Sequence, residues 1–386
     1  EDIRYHLEKA VYLAKTGRPG PVWIDIPLDV QAVMVEEAHL HPYIPPAQRE
    51  KDLEKVVAAV IEDLNRSDRP IFLAGNGIRL SGAIQDFMHL AESVKIPVLT
   101  TWKAIDFLEE DHPLFVGRPG GVGSRGANFS QQNSDFLISI GARLDHGQTA
   151  YQHKYFARGA KKVIVDIDKH EIDKLQMEIA HPLVVDAGEF IRELIRQRSK
   201  IKVSCTPWLD RCKNGQAKYP VVLQEYWEET EHVNNYVFVD VLSDALPRDS
   251  LVIPGSSGGC SEVTMQAFKM KSGTRVFNSE GLGPMGFGIP ASIGGCIASG
   301  RRETVCIDGD GGFIMNIQEL ETVRRLGLPI KFFVLNNDGY VSIRNTQSKH
   351  FQGKFVASST SSGLTLPDLQ KNAAVYDIPY FRIENH

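Results

Sequence analysis

Residues 304–340, TVCIDGDGGFIMNIQELETVRRLGLPIKFFVLNNDGY, constrain the fold more than any other stretch of this chain. Thr304–Ile307 is an apolar run of the length expected for a buried strand. It ends in Gly309-Asp310-Gly311-Gly312. A helical pattern follows over Phe313–Leu326, stopped by Gly327 just past its end and by Pro329. A second apolar run, Ile330–Leu335, then ends in Asn336-Asn337-Asp338-Gly339. Strand–helix–strand units cross over in the right-handed sense, so both strands finish at the same edge of a parallel sheet. Open α/β sheets bind ligands at that edge. The spacing therefore predicts that Asp310 and Asn337 meet there. One carboxylate, one amide oxygen and a backbone carbonyl freed by glycine are hard donors suited to Mg²⁺, which shares its shell with phosphate and water. The glycines at 309, 311 and 312 let backbone N–H groups approach an anion. Taken together, the unit reads as a site for a Mg²⁺-bound diphosphate.

The rest of the chain fits an enzyme built on such sheets. The predicted fold class is α/β, with two doubly wound parallel-sheet domains and the tail of a third. Leu53, Val56, Val57, Val60, Ile61 and Leu64 are spaced for one helix face. Short apolar runs at 70–75, 97–101, 135–141 and 162–168 alternate with helical segments, which implies a parallel sheet covered on both faces. This central, Rossmann-like domain is assigned to 49–195. Proline-rich 36–48 reads as a linker before it. Polar 196–218 reads as a second linker with some helix. A C-terminal domain occupies 219–386, with strands expected near 252, 275, 304 and 330 and helices at 235–246, 287–299 and 314–326. At the start, a helix (Ile3–Lys15), a Gly/Pro turn and a strand (Pro21–Ile26) read as the middle of something longer. The final Tyr380–Glu384 reads as a strand with nothing after it.

Composition excludes several function classes. Lysine and arginine total 43 against 48 aspartate and glutamate, a formal charge of −5, which offers no field for a nucleic-acid backbone. No apolar run approaches a membrane span. Five cysteines, none in a C-x-x-C pair, suggest neither a disulfide framework nor a zinc ribbon and fit a reducing, cytoplasmic setting. His146, His153, His170 and His181 form no spaced ligand set.

Gly309-Asp310-Gly311 with Asn336-Asn337 resembles the diphosphate–Mg²⁺ motif of thiamine-diphosphate enzymes. Gly281-Leu-Gly-Pro-Met-Gly-Phe-Gly-Ile-Pro-Ala291 resembles the stretch preceding that motif in acetolactate synthases. Residues 16–30 look like the end of their pyrimidine-binding domain, so 1–35 is read as the tail of that domain and the chain as truncated at both ends. The resemblance implies the following site. Asp310, Asn337 and Gly339 hold Mg²⁺. Ser256, Ser257, Gly311 and Gly312 contact the diphosphate, and Tyr340 belongs to the cofactor site. Gly283 accepts a hydrogen bond from the aminopyrimidine, and Met285 supports the bent cofactor from below.

The implied activity is decarboxylation of a 2-oxo acid, pyruvate first, with carboligation to a second carbonyl. Simple decarboxylases of this type carry a carboxylate six residues beyond the second Asn. Ile343 stands there, in the substrate pocket, which favours carboligation. Thr346 replaces the Trp of branched-chain acetolactate synthases, so a 2-oxobutyrate preference is not implied. The activating glutamate of the family lies in the pyrimidine domain and comes from a partner subunit, implying a homodimer or tetramer and an inactive isolated piece. FAD is possible in the central domain but not favoured: Gly75-Asn76-Gly77 is a poor dinucleotide fingerprint, and Asp145-His146-Gly147 stands where acids and an Arg are expected. A non-carboligating decarboxylase and an inert cofactor-binding homologue remain as alternatives.

Overall fold

Residues 2–46, 52–256, 258–279 and 281–385 are described by a computed structural model. Ser257 and the junction at 47–51, where the first linker was expected to end, lie outside them.

The N-terminal helix α1 (Ile3–Lys15) forms as predicted. Pro21–Ile26 does not become a strand. It is irregular, with no partner strand among the described residues, and Trp23 is 92% exposed. Extended backbone needs a neighbour to complete its hydrogen bonds, and this part of the chain supplies none. Tyr380–Glu384 likewise carries no strand, for the same reason.

The central sheet contains β1 (Pro70–Ala74), β2 (Val98–Thr100), β3 (Phe136–Ile140), β4 (Lys161–Asp166) and β5 (His181–Val184), all parallel, in the order β2-β1-β3-β4-β5. Helices α2 (Leu53–Leu64), α3 (Ile84–Val94) and α5 (Ala187–Arg196) bury Val60, Phe87 and Phe190 on one face. On the other face lie α4 (Arg125–Asn133) and α6 (Thr206–Lys218). Helix α6 falls in the segment expected as a connector. Trp208 and Cys212 give it an apolar stripe that buries into the second core, and the indole N–H of Trp208 donates to the Pro70 carbonyl at 3.0 Å. Its polar composition hid two buried side chains, the large indole of Trp208 and the small thiol of Cys212, whose burial helps to dock the helix.

The C-terminal sheet is also all parallel, in the order β7-β6-β8-β9: β6 (Leu251–Pro254), β7 (Arg275–Val276), β8 (Thr304–Gly309) and β9 (Ile330–Leu335). Helices α7 (Asn235–Ala245) and α8 (Gly288–Ala298) flank it. The predicted helix over 313–326 begins earlier and is broken. It splits into α9 (Asp310–Ile314) and α10 (Leu320–Leu326), with a 3₁₀ turn at Ile317–Glu319 between them. The break falls at Asn316, whose amide turns away to donate to the Gly286 carbonyl at 2.8 Å. Gly327, in the left-handed region at φ +56°, ends α10 as expected. A further helix, α11 (Val341–His350), follows the Asn-Asn loop.

Polar contacts tie the two sheets' domains together. Asp106 accepts from Arg79 of the central domain at 2.6 Å and from Arg275 on β7 at 2.7 Å. Arg118, 4% exposed, pairs with Glu110 and donates to the Phe268 carbonyl at 3.0 Å. No helix among the described residues is long and apolar enough to cross a membrane. All five cysteines are buried and free.

Candidate cofactor and metal site

Strands β8 and β9 pair along their whole length, from Thr304 opposite Ile330 to Gly309 opposite Leu335. Parallel pairing in this register delivers the residues after Gly309 and after Leu335 to one rim. Asp310 is the hinge of that rim. It is 2% exposed, and its carboxylate accepts three backbone N–H groups. Oδ1 takes the N–H of Gly311 at 2.7 Å, and Oδ2 takes those of Asn337 at 3.1 Å and Gly339 at 3.0 Å. The predicted juxtaposition of 310 with 337–339 is therefore present, and the Asp310 carboxylate itself makes it.

Glycine is required at two places here. A side chain on Gly311 would overlap the Tyr340 ring and come within 3.4 Å of the Met285 methyl. Gly339 has φ +128°, a conformation that side chains rarely adopt. A Cβ there would meet the Ser358 carbonyl at 2.6 Å. Met285, Gly311 and Tyr340 consequently meet beside Asp310. Met285 also lines a groove of about 1140 Å³ with Phe277, Phe287, Pro290 and Asn316. Gly283 lies two residues before it in the left-handed region, φ +53°. Ser256 follows β6 at the same rim, half-buried. Ile343 is on α11 and 41% exposed.

Asp308, which the sequence reading passed over, organises the other side of the rim. It is 1% exposed. Gly255, Gly288 and Gly312 crowd its carboxyl so closely that a side chain on any of them would overlap it. Gly309 donates to Oδ1 at 2.9 Å. The backbone N–H groups of Ser256 and Gly288 also approach and pull its pKa down. They leave Oδ2 without a hydrogen-bond partner among the described residues. Burial outweighs these N–H groups and holds the carboxyl up at about 6. A charged residue inside an otherwise apolar strand was the signal that could have found it. Arg344 carries no such signal.

Asp310, Asn337 and Gly339 match the donor set of a hard cation, and no group of three His, Cys, Asp or Glu that could hold a metal alone exists among the described residues. A cation here needs further oxygens from its ligand, which is the habit of Mg²⁺ on a diphosphate. The residue chemistry at this rim, one carboxylate beside an amide and glycine-rich backbone, is compatible with such a pair.

The central domain tells a different story. A cleft of about 520 Å³ lies at the carboxyl ends of β1, β3 and β4, lined by Asn76, Gly77, Arg143, Asp145 and Asp166. The Gly75–Gly77 and Gly141 loops pack on each other, and a Cβ on Gly77 would lie 2.7 Å from the Gly141 Cα. These glycines serve contact between loops. Glu171 pairs with Arg18, Arg143 and Lys174 beside the cleft. No feature of this cleft commits it to a flavin.

Comparison with known proteins agrees with the two-sheet division. The family model "Thiamine pyrophosphate enzyme, central domain" matches residues 57–194. The model "Thiamine pyrophosphate enzyme, C-terminal TPP binding domain" matches 257–386. Among curated relatives, a probable acetolactate synthase large subunit of Methanococcus aeolicus is 33% identical over 97% of this chain and 65% of its own length. That of Methanocaldococcus jannaschii is 32% identical over 99% and 65%. The acetolactate synthase large subunit of Lactococcus lactis is 28% identical over 100% and 65%. The chain thus spans about 65% of the length of these relatives.

Proposed function

We infer that this chain, which belongs to the thiamine pyrophosphate enzymes of acetolactate synthase type, carries the metal–diphosphate half of an active site for decarboxylation of a 2-oxo acid, pyruvate first, followed by carboligation. The observation that carries the reading is the buried carboxylate of Asp310 gathering the N–H groups of Asn337 and Gly339. It keeps the loop that carries the Asn337 amide and the Gly339 carbonyl beside the one carboxylate of the proposed donor set.

Each residue has a task in this reading. Asp310, Asn337 and the Gly339 carbonyl would hold Mg²⁺, and through it the diphosphate. The absence of a side chain at Gly311 leaves the space beside Tyr340 and Met285 open to the cofactor. Ser256 and Gly312 border the diphosphate, and Gly283 offers its carbonyl to the aminopyrimidine. Met285 presses its thioether side chain toward the same space, a role suited to a flexible, apolar residue. Thiamine diphosphate, when bound, supplies an electron sink for the carbon that loses CO₂. Ile343 keeps a carboxylic acid away from that carbon. With no proton donor at this position, a second carbonyl competes better, which favours carboligation. The activating glutamate is proposed to come from a partner subunit, so the working unit is at least a dimer.

Turnover by the protein expressed from its complete reading frame tests the reading. Pyruvate with thiamine diphosphate and Mg²⁺ should release CO₂ and give a product that yields acetoin after acid treatment. Acetaldehyde in its place would make it a simple decarboxylase. Release of CO₂ from no 2-oxo acid would refute catalysis.

A further inference from the structure

Helix α11 presents one half-buried face toward the metal loop, and Arg344 stands on it. Its guanidinium donates to three backbone carbonyls: Asn337 at 2.9 Å, Asp338 at 3.1 Å and Ser358 at 3.0 Å. The first two belong to the loop that Asp310 gathers. The third belongs to the serine-rich segment 357–363, which lies across that loop. Gly339 and Ser359 form an antiparallel bridge, and Tyr340 N–H donates to the Ser358 carbonyl at 3.0 Å. One turn further along the same face, Gln347 accepts from the Ser358 hydroxyl at 2.7 Å. The loop is therefore held from two sides. Asp310 takes its N–H groups, and Arg344 takes its carbonyls.

We propose that Arg344 is a positioning residue for the metal: by gripping the carbonyls of Asn337 and Asp338 it turns the loop so that the Asn337 amide and the Gly339 carbonyl face Asp310. The proposal rests on the metal–diphosphate reading above. A planar guanidinium suits the task because its donors lie in a fixed fork and can reach several acceptors at once. A Lys ammonium also has three donors, but they radiate from one nitrogen and hold the carbonyls in no fixed fork. Arg344 satisfies the carbonyls that must point away from the cation and leaves the Gly339 carbonyl out of its grip.

The direction of the effect separates positioning from simple electrostatics. A cation beside a cation site repels it, so loss of the Arg charge alone should tighten Mg²⁺ binding. Loss of loop order should weaken it. Groups that orient metal ligands from behind typically account for about 10–100-fold in metal affinity.

The test uses the full chain in its native assembly, with Arg344→Met and Arg344→Lys. Mg²⁺ is titrated at saturating thiamine diphosphate, followed by tryptophan fluorescence and by initial rate. The expected result is a half-saturating Mg²⁺ concentration raised about tenfold or more in Arg344→Met, with a smaller rise in Arg344→Lys. At saturating Mg²⁺ the KM for the 2-oxo acid should return to that of the wild type. Losing these three partly exposed hydrogen bonds should lower the thermal midpoint in EDTA somewhat, but below that midpoint excess Mg²⁺ should restore the rate, which a general loss of folding would not allow. Should Arg344→Met fail to fold, the Lys variant carries the same comparison. An unchanged or lower Mg²⁺ requirement in the variants would overturn the proposal alone. A wild-type protein whose binding of thiamine diphosphate ignores Mg²⁺ would overturn the underlying reading instead.

Discussion

Replacing Asp310 with Ala tests the centre of the site in two independent ways. The first is stability without any ligand. Three backbone N–H groups lose a charged acceptor, at 2.7, 3.0 and 3.1 Å. Hydrogen bonds to charged groups contribute about 1.5–3 kcal/mol each, so the gross loss is about 5–9 kcal/mol. A carboxylate that no longer has to be stripped of water, and water entering the vacated space, return several kcal/mol of this. The expected net loss is roughly 2–4 kcal/mol, read from urea denaturation in EDTA with the four tryptophans as probes. The second readout is thiamine diphosphate binding with and without Mg²⁺. Removing the only carboxylate of the proposed donor set should abolish the Mg²⁺-dependent part. Asp310→Asn should be milder in stability, since an amide oxygen can keep the Asn337 and Gly339 N–H groups. It should be equally poor in Mg²⁺ binding, because the charge is gone. If Asp310→Ala were as stable as wild type in EDTA and bound cofactor with the same Mg²⁺ dependence, the carboxylate would be neither the organiser of the rim nor a ligand.

Three further outcomes are expected. Met285→Ala should bind thiamine diphosphate with wild-type affinity but turn over about 10-fold more slowly or worse, since it removes support without touching the diphosphate anchors; unchanged kcat would argue against that support. Ile343→Glu should shift product from the carboligation compound toward free aldehyde, measured as the ratio of the two by chromatography, and a constant ratio would remove Ile343 from the partition. Asp308 makes stability depend on pH. Its folded value of about 6 lies above the ordinary 3.8, so its contribution is fully present below about pH 4, and is lost as pH rises through 6. Asp308→Asn should flatten that slope and, above pH 6, stabilise the metal-free protein by up to roughly 3 kcal/mol. Urea midpoints between pH 4 and 7 would show the same slope in both proteins if burial were not the cause.

Much of the fold was legible because parallel sheets bury both faces of each strand. Runs such as Ile71-Phe72-Leu73-Ala74 and Thr304–Ile307 carry almost no polar interruption, and they form strands within a residue or two of their expected ends. The segments at the chain's two ends were misread because strand formation is not local. Pro21–Ile26 has the composition of a strand but no partner strand among the described residues. Helix α6 was understated for the opposite reason: its partners, the Pro70 carbonyl and the second core, lie far away in sequence. The break at Asn316 also depends on a distant carbonyl, that of Gly286.

The candidate site divides along the same line. The amino-acid sequence alone determined that a strand–glycine turn–helix–strand unit would bring Asp310 and Asn337 to one edge, because parallel pairing leaves the two loops nowhere else to go. It also supplied the residue types, a carboxylate and an amide in glycine-rich loops, on which the proposed donor set rests. Only the tertiary structure decided how the loop is oriented. Arg344 grips carbonyls from a helix that ordinary residue patterns do not mark, and Asp308 sits among three glycines drawn from separate segments. Such contacts depend on distances of about 3 Å between residues far apart in the chain, and periodicity carries no record of those distances.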